Sequence, residues 1–142
     1  MKLEHIGEYT QSTSLNLPLL LNTVPAGFPS PAEDYEDKKL DLNELLIKHP
    51  EATYFCRVSG DSMKGENIRD GDLLIVDRAE KAIHGSVVVA SIYGEITCKL
   101  LDTGNKQLLS ANPKFKPIII GEDGVTIEGV VIHSISNHVR SR

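Results

Sequence analysis

Tryptophan is absent from this 142-residue chain, and cysteine is nearly so. The two cysteines, Cys56 and Cys98, sit in apolar stretches with no C-x-x-C or Cys/His ligand spacing. That excludes a disulfide scaffold and a cysteine-built metal site, and reads as two reduced thiols in a cytosolic core. Basic charge is short as well. Fifteen Lys and Arg against twenty Asp and Glu give a net charge of -5, so a phosphate backbone is on balance repelled and no direct DNA binding is expected. Long apolar runs are missing, since nothing approaches the ~18–20 residues of a membrane span. Leu17-Pro18-Leu19-Leu20-Leu21 followed by Val24-Pro25-Ala26 has the outline of a signal peptide, but Glu4, Glu8 and Asn16 interrupt its middle. Neither membrane insertion nor export is expected, and the chain is placed in the cytoplasm. Histidines are few and badly placed for a base. His5 and His138 lie near the termini, His49 ends a short helix, His84 sits in a turn, and His133 is inside a strand with no acidic neighbour on its own face. No Ser-His-Asp arrangement follows from these positions.

What is present is an ordinary soluble composition, 40% hydrophobic and 25% charged, in a length that suits about one domain. Residues 1–40 hold four of the seven prolines (Pro18, Pro25, Pro29, Pro31), no sustained periodicity and the polar run 33–39, which together predict a flexible, extended N-terminal arm. Residues 41–142 form the folded domain. Asp41 and Glu44 make a capping-box-like pair ahead of Leu45, Leu46 and Ile47, and Pro50 stops the run, so a helix is expected over 42–49. Strand patterns follow at 53–58, 73–77, 86–92, 95–101, 107–110, 116–120 and 125–135, separated by turn pairs such as Asp70-Gly71, Tyr93-Gly94 and Gly104-Asn105. The fold class is mainly β, compact and largely antiparallel, with one short helix. The long apolar strand 125–135 suits either pairing across a two-fold axis or an interior place in a sheet.

Two residues stand out chemically. Ser62, in Ser59-Gly60-Asp61-Ser62-Met63, places a hydroxyl on a bend beside exposed backbone N–H groups, although the same residues are ordinary turn formers. Lys99 lies in Ile96-Thr97-Cys98-Lys99-Leu100-Leu101, where a strand otherwise carries apolar or small residues. A buried lysine loses proton affinity and can take a proton from a serine hydroxyl near neutral pH, whereas an edge-strand lysine merely reaches for solvent.

Together the pieces resemble one family. Ser59-Gly60-Asp61-Ser62-Met63, then Asp70-Gly71-Asp72-Leu73-Leu74-Ile75-Val76-Asp77, Lys99 placed 37 positions after Ser62, and Ala26-Gly27 upstream are similar to the LexA/UmuD family of self-cleaving Ser/Lys peptidases. Further blocks at Gly27-Phe28-Pro29-Ser30-Pro31-Ala32, Asp41 to Pro50 and Gly129-Val130-Val131-Ile132-His133 extend the resemblance over about residues 22 to 139. It implies a LexA/signal-peptidase-like β-fold, Ser62 as nucleophile, Lys99 as general base, Ala26-Gly27 as the cleavage site and the Ser62 N–H as oxyanion donor. No cofactor and no metal are implied. The implied role is in the SOS response to DNA damage: self-cleavage stimulated by a RecA nucleoprotein filament yields the accessory subunit of an error-prone translesion polymerase. The partners implied are a second copy in a homodimer, the RecA filament, a UmuC-like Y-family polymerase subunit, and a replicative polymerase with its sliding clamp. A polymerase-free phage or plasmid regulator, or a binding module whose cleavage is slow or dispensable, are the alternatives. Pro25 departs from the family pattern by removing a backbone donor beside the scissile pair, and alanine at 26 matches LexA-type sites. Only 61 residues precede Ser62 and the first 40 lack paired amphipathic helices, so a helix-turn-helix repressor is not expected.

Overall fold

The computed structural model describes residues 2–8, 16–20, 36–60, 63–111, 116–121 and 123–139. Asp41 caps the helix: its Oδ1 accepts the Asn43 N–H at 3.0 Å, and α1 runs Leu42–Leu46. The helix ends three residues earlier than expected. Ile47 is already extended (φ -112, ψ 107) with its side chain buried, and His49 is drawn away to Asp77, so Pro50 begins a separate 3-10 turn, Pro50–Ala52.

Strands account for most of the rest, and from residue 53 onward they lie at nearly the expected positions. β1 (Lys2–Glu8), β4 (Thr53–Ser59), β5 (Leu73–Asp77), β6 (Val87–Ile92), β7 (Glu95–Asp102), β8 (Gln107–Leu109), β9 (Ile118–Ile119) and β10 (Val125–Ile135) form one sheet. Its order is β1-β4-β5-β10-β6-β7-β8-β9, with every described pairing antiparallel. β2 (Asn16–Leu20) and β3 (Glu36–Asp41) make a separate two-stranded ribbon. Three strands therefore fall within the first 41 residues, where the sequence suggested only an extended arm.

β10 takes the interior place. Residues 125–130 pair with β6 and residues 130–135 pair with β5, with a bulge in each half. One long strand thus joins two hairpin systems and bends between them. Two apolar clusters fill the inside. The larger gathers Tyr54, Cys56, Val58, Met63, Ile68, Leu74, Val76, Val89 and Cys98; the smaller gathers Val88, Ala90, Leu101, Leu108 and Val130. Both cysteines are buried, free thiols. Among the described residues no helix is long and apolar enough to cross a membrane.

Candidate active site

Two hairpins set the position of Lys99. Tyr93 (φ 50) and Gly94 (φ 86) both adopt positive φ, the geometry of a two-residue hairpin turn, and this registers Ile92 against Glu95 and Val88 against Lys99. On the other side, Asp102 accepts hydrogen bonds from the Asn105 N–H, Asn105 Nδ2 and Gln107 Nε2. These bonds, Gln107's first, hold the Asp102 carboxyl below the usual carboxylate range. They also close the turn that pairs Leu100 with Leu109. One step further along the same register, Lys99 faces Ser110, and its Nζ donates to Ser110 Oγ at 2.7 Å.

Lys99 is buried, 6% exposed, between Cys98 and Leu100 on a strand flanked by both apolar clusters. Loss of hydration disfavours the ammonium and pushes Lys99 below its ordinary 10.5. A charged Cys98 would oppose that. However, burial pushes the Cys98 thiol up to about 12, so the thiolate that could hold a proton on Lys99 is not formed near neutral pH. A surface pocket of about 200 Å³ is lined by Ile92, Glu95, Thr97, Lys99 and Ile118. Its lining mixes Ile92 and Ile118 with a hydroxyl, a carboxylate and the Lys99 amine, so polar and apolar surface meet there.

Ser62, Asp61, Ala26 and Gly27 lie outside the described residues, so no distance links the serine or the cleavage site to Lys99. What flanks Ser62 is described. Gly60 (φ 105) donates its N–H to Asp70 Oδ1 at 2.9 Å, anchoring the chain on one side. On the other, Met63 is fully buried in the cluster that contains Cys98, and its carbonyl accepts the Glu66 N–H at 2.9 Å. The 3-10 turn Lys64–Glu66 then packs backbone to backbone on the segment after Ser110: a Cβ on Gly65 would lie 2.5 Å from the Ala111 carbonyl oxygen.

Three of the five histidines are engaged elsewhere. His49 Nδ1 lies 2.6 Å from Asp77 Oδ2, His84 Nδ1 accepts the Thr103 N–H at 3.2 Å, and the His5 ring packs on Tyr54. Among the described residues none lines the pocket at Lys99. His49, Asp77 and Glu80 do gather ligand-type atoms within 4.8 Å of one another, but His49 pairs with Asp77 and Glu80 with Lys48. Sequence reasoning passed over Ser110, although the hairpin register at Gly104-Asn105 pointed to it.

The chain is similar to several known proteins. Residues 18–132 match the family model described as Peptidase S24-like. The chain is 47% identical over 126 residues to protein MucA of Salmonella typhimurium, covering 87% of this chain and 86% of that one. It is 46% identical over 125 residues to protein SamA of the same species, covering 87% and 86%. It is 42% identical over 122 residues to the LexA repressor of Photorhabdus laumondii, covering 83% of this chain and 60% of the repressor.

Proposed function

The chain belongs to the Peptidase S24-like family, and from that premise we propose that it is a Ser/Lys peptidase whose substrate is its own arm, cut between Ala26 and Gly27. Ser62 Oγ attacks the Ala26 carbonyl carbon while neutral Lys99 takes the hydroxyl proton. The Ser62 N–H stabilises the oxyanion. Lys99 then returns the proton to the departing Gly27 amine as the C–N bond breaks, and water hydrolyses the acyl-serine to free the Ala26 carboxylate. One observation carries the reading: a lysine in the interior of a β-sheet, pushed toward its neutral form by burial and held by a serine hydroxyl. Such a lysine costs stability and suits a proton acceptor.

The product, residues 27–142, serves as the accessory subunit of a translesion polymerase in the SOS response. The homodimer, the RecA filament, a UmuC-like polymerase subunit and the replicative polymerase with its clamp are its proposed partners. The RecA filament acts by favouring the docked arm, and its stimulation is bounded by its preference for that state.

The test is intact mass after incubation between pH 7 and about 10, with Ser62→Ala and Lys99→Ala beside the wild type. A fragment beginning at Gly27, growing with pH and missing from both variants, supports the dyad and the bond together. Chains that stay whole even with activated RecA filament would refute it.

A further inference from the structure

β1 is the end strand of the large sheet, and it lies on the N-terminal side of Ala26-Gly27. Its partner β4 is engaged by β5 on one side and by β1 on the other, with pairs running from Lys2 opposite Ser59 to Glu8 opposite Tyr54. Without β1, the outer backbone groups of β4 would form an open edge, the kind of edge that accepts a strand from another chain. Strand β1 also shows what chemistry that edge selects. Leu3 is half-buried, packs on the larger cluster opposite Val58, and shares a pocket lining with Gly94, Glu95 and Ile96. Glu4 lies opposite Arg57, which is exposed. Glu8 Oε1 reaches Arg78 at 3.5 Å, and Arg78 itself lies 4.1 Å over the Tyr54 ring. The edge therefore presents an apolar seat flanked by two cations in a protein whose net charge is -5.

We propose that the outer edge of β4 is a strand-docking site for an extended acidic segment of a partner protein, closed in the intact chain by its own residues 2–8 and opened when the arm is cut. The opening rests on the cleavage proposed above; the site does not. Tethered, β1 competes at an effective concentration of the order of millimolar, which a free partner cannot match. Cutting at 26–27 severs the covalent tether and leaves residues 1–26 held only non-covalently, by the β1–β4 and β2–β3 pairings, so occupancy of the edge then follows mass action. A partner strand with an apolar residue opposite Val58, an acid opposite Arg57 and a second acid near Arg78 displaces β1.

The test titrates a fluorescein-labelled peptide of residues 1–10 by anisotropy onto full-length protein carrying Ser62→Ala, verified whole by mass. Two variants loosen the resident strand: Leu3→Asp, and the surface pair Glu4→Lys with Glu8→Lys, which leaves the core untouched. Both bind the peptide at least about tenfold tighter than the parent, because the tethered competitor is weakened. Adding Arg57→Glu and Arg78→Glu returns binding to the parent level. No gain in either variant, with strand content by circular dichroism unchanged, overturns the proposal. Equal binding of a scrambled peptide also overturns it, and peptide that dissolves the protein's own oligomer in sedimentation assigns the edge to a second copy instead. Failure of self-cleavage is read separately, as absence of the Gly27 fragment from wild type, and leaves these titrations intact.

Discussion

Gly65→Ala tests how the strand bearing Lys99 is joined to the turn after Ser62. The added methyl would lie 2.5 Å from the Ala111 carbonyl oxygen and 3.1 Å from its Cβ. Ordinary contact begins at 3.4 Å, so the turn and the Ala111 segment must separate by close to 0.9 Å. The obstacle is backbone, not the tip of a flexible side chain, and Ala111 is itself packed on the larger cluster. Overpacking of this kind costs about 1–3 kcal/mol, which shifts the urea midpoint by roughly one molar for an m-value of ~1–3 kcal/mol per molar. The effect on chemistry is larger. Met63 and Gly65 follow Ser62, the proposed nucleophile, and a misplacement of about 1 Å at reacting atoms costs roughly a hundredfold in rate. Gly65→Ala should therefore slow appearance of the Gly27 fragment by about two orders of magnitude at a denaturant concentration where it is still folded. Unchanged stability would show that the turn yields without cost. Lost stability with a wild-type cleavage rate would show that this contact does not position the serine.

Cleavage should rise with pH to a plateau, with its midpoint below the ordinary lysine value of 10.5, because burial holds the folded Lys99 below it; a midpoint at or above 10.5 in the mass assay refutes the buried-base reading. The same group sets a sign for stability. The unfolded chain binds the Lys99 proton more tightly, so Lys99 adds stability as pH rises between its folded value and 10.5, and urea midpoints of wild type relative to Lys99→Met should diverge in that window. Asp77→Ala should cost about 3–5 kcal/mol by urea denaturation, since the fully buried carboxylate serves both His49 and the Ala79 N–H; a loss under about 1 kcal/mol contradicts it. Cys56 and Cys98, pushed up to about 11 and about 12, should resist a thiol reagent at pH 8 in the native protein and react once urea unfolds it; rapid native labelling would place them nearer solvent.

Much of the sheet was legible because its turns carry residues of definite geometry. Strands at 73–77 and 125–135 fall where alternation and the Asp70-Gly71 and Asp123-Gly124 turns put them. Lys99 stood out for the same local reason: a cation in an apolar strand. Ser110 did not, because a serine at the end of a short strand is ordinary until the register of β7 on β8 is drawn. The His49–Asp77 contact depends on two residues 28 positions apart and has no local signature. The shortened helix follows from that contact and from the burial of Ile47, both tertiary effects that outweigh propensity. The pairing of residues 2–8 with β4 was illegible too, since Lys2 to Glu8 is too polar to mark itself as a strand.

Burial acts with opposite sign on the acids and the base in this core, and that asymmetry organises the site. It raises the Cys56 and Cys98 thiols and the Tyr54 hydroxyl, which donates to the Glu128 carbonyl, while it lowers Lys99. All four groups are driven toward their neutral forms by the same absence of water. A histidine base would need a carboxylate to orient it and stabilise its cation; a buried lysine needs only dryness and one hydrogen-bond partner, here Ser110. The fold supplies dryness through the paired strands around β7, and it does so before any arm arrives. If the arm is the substrate, as proposed, control over cleavage rests on whether the arm is seated rather than on building a base at Lys99.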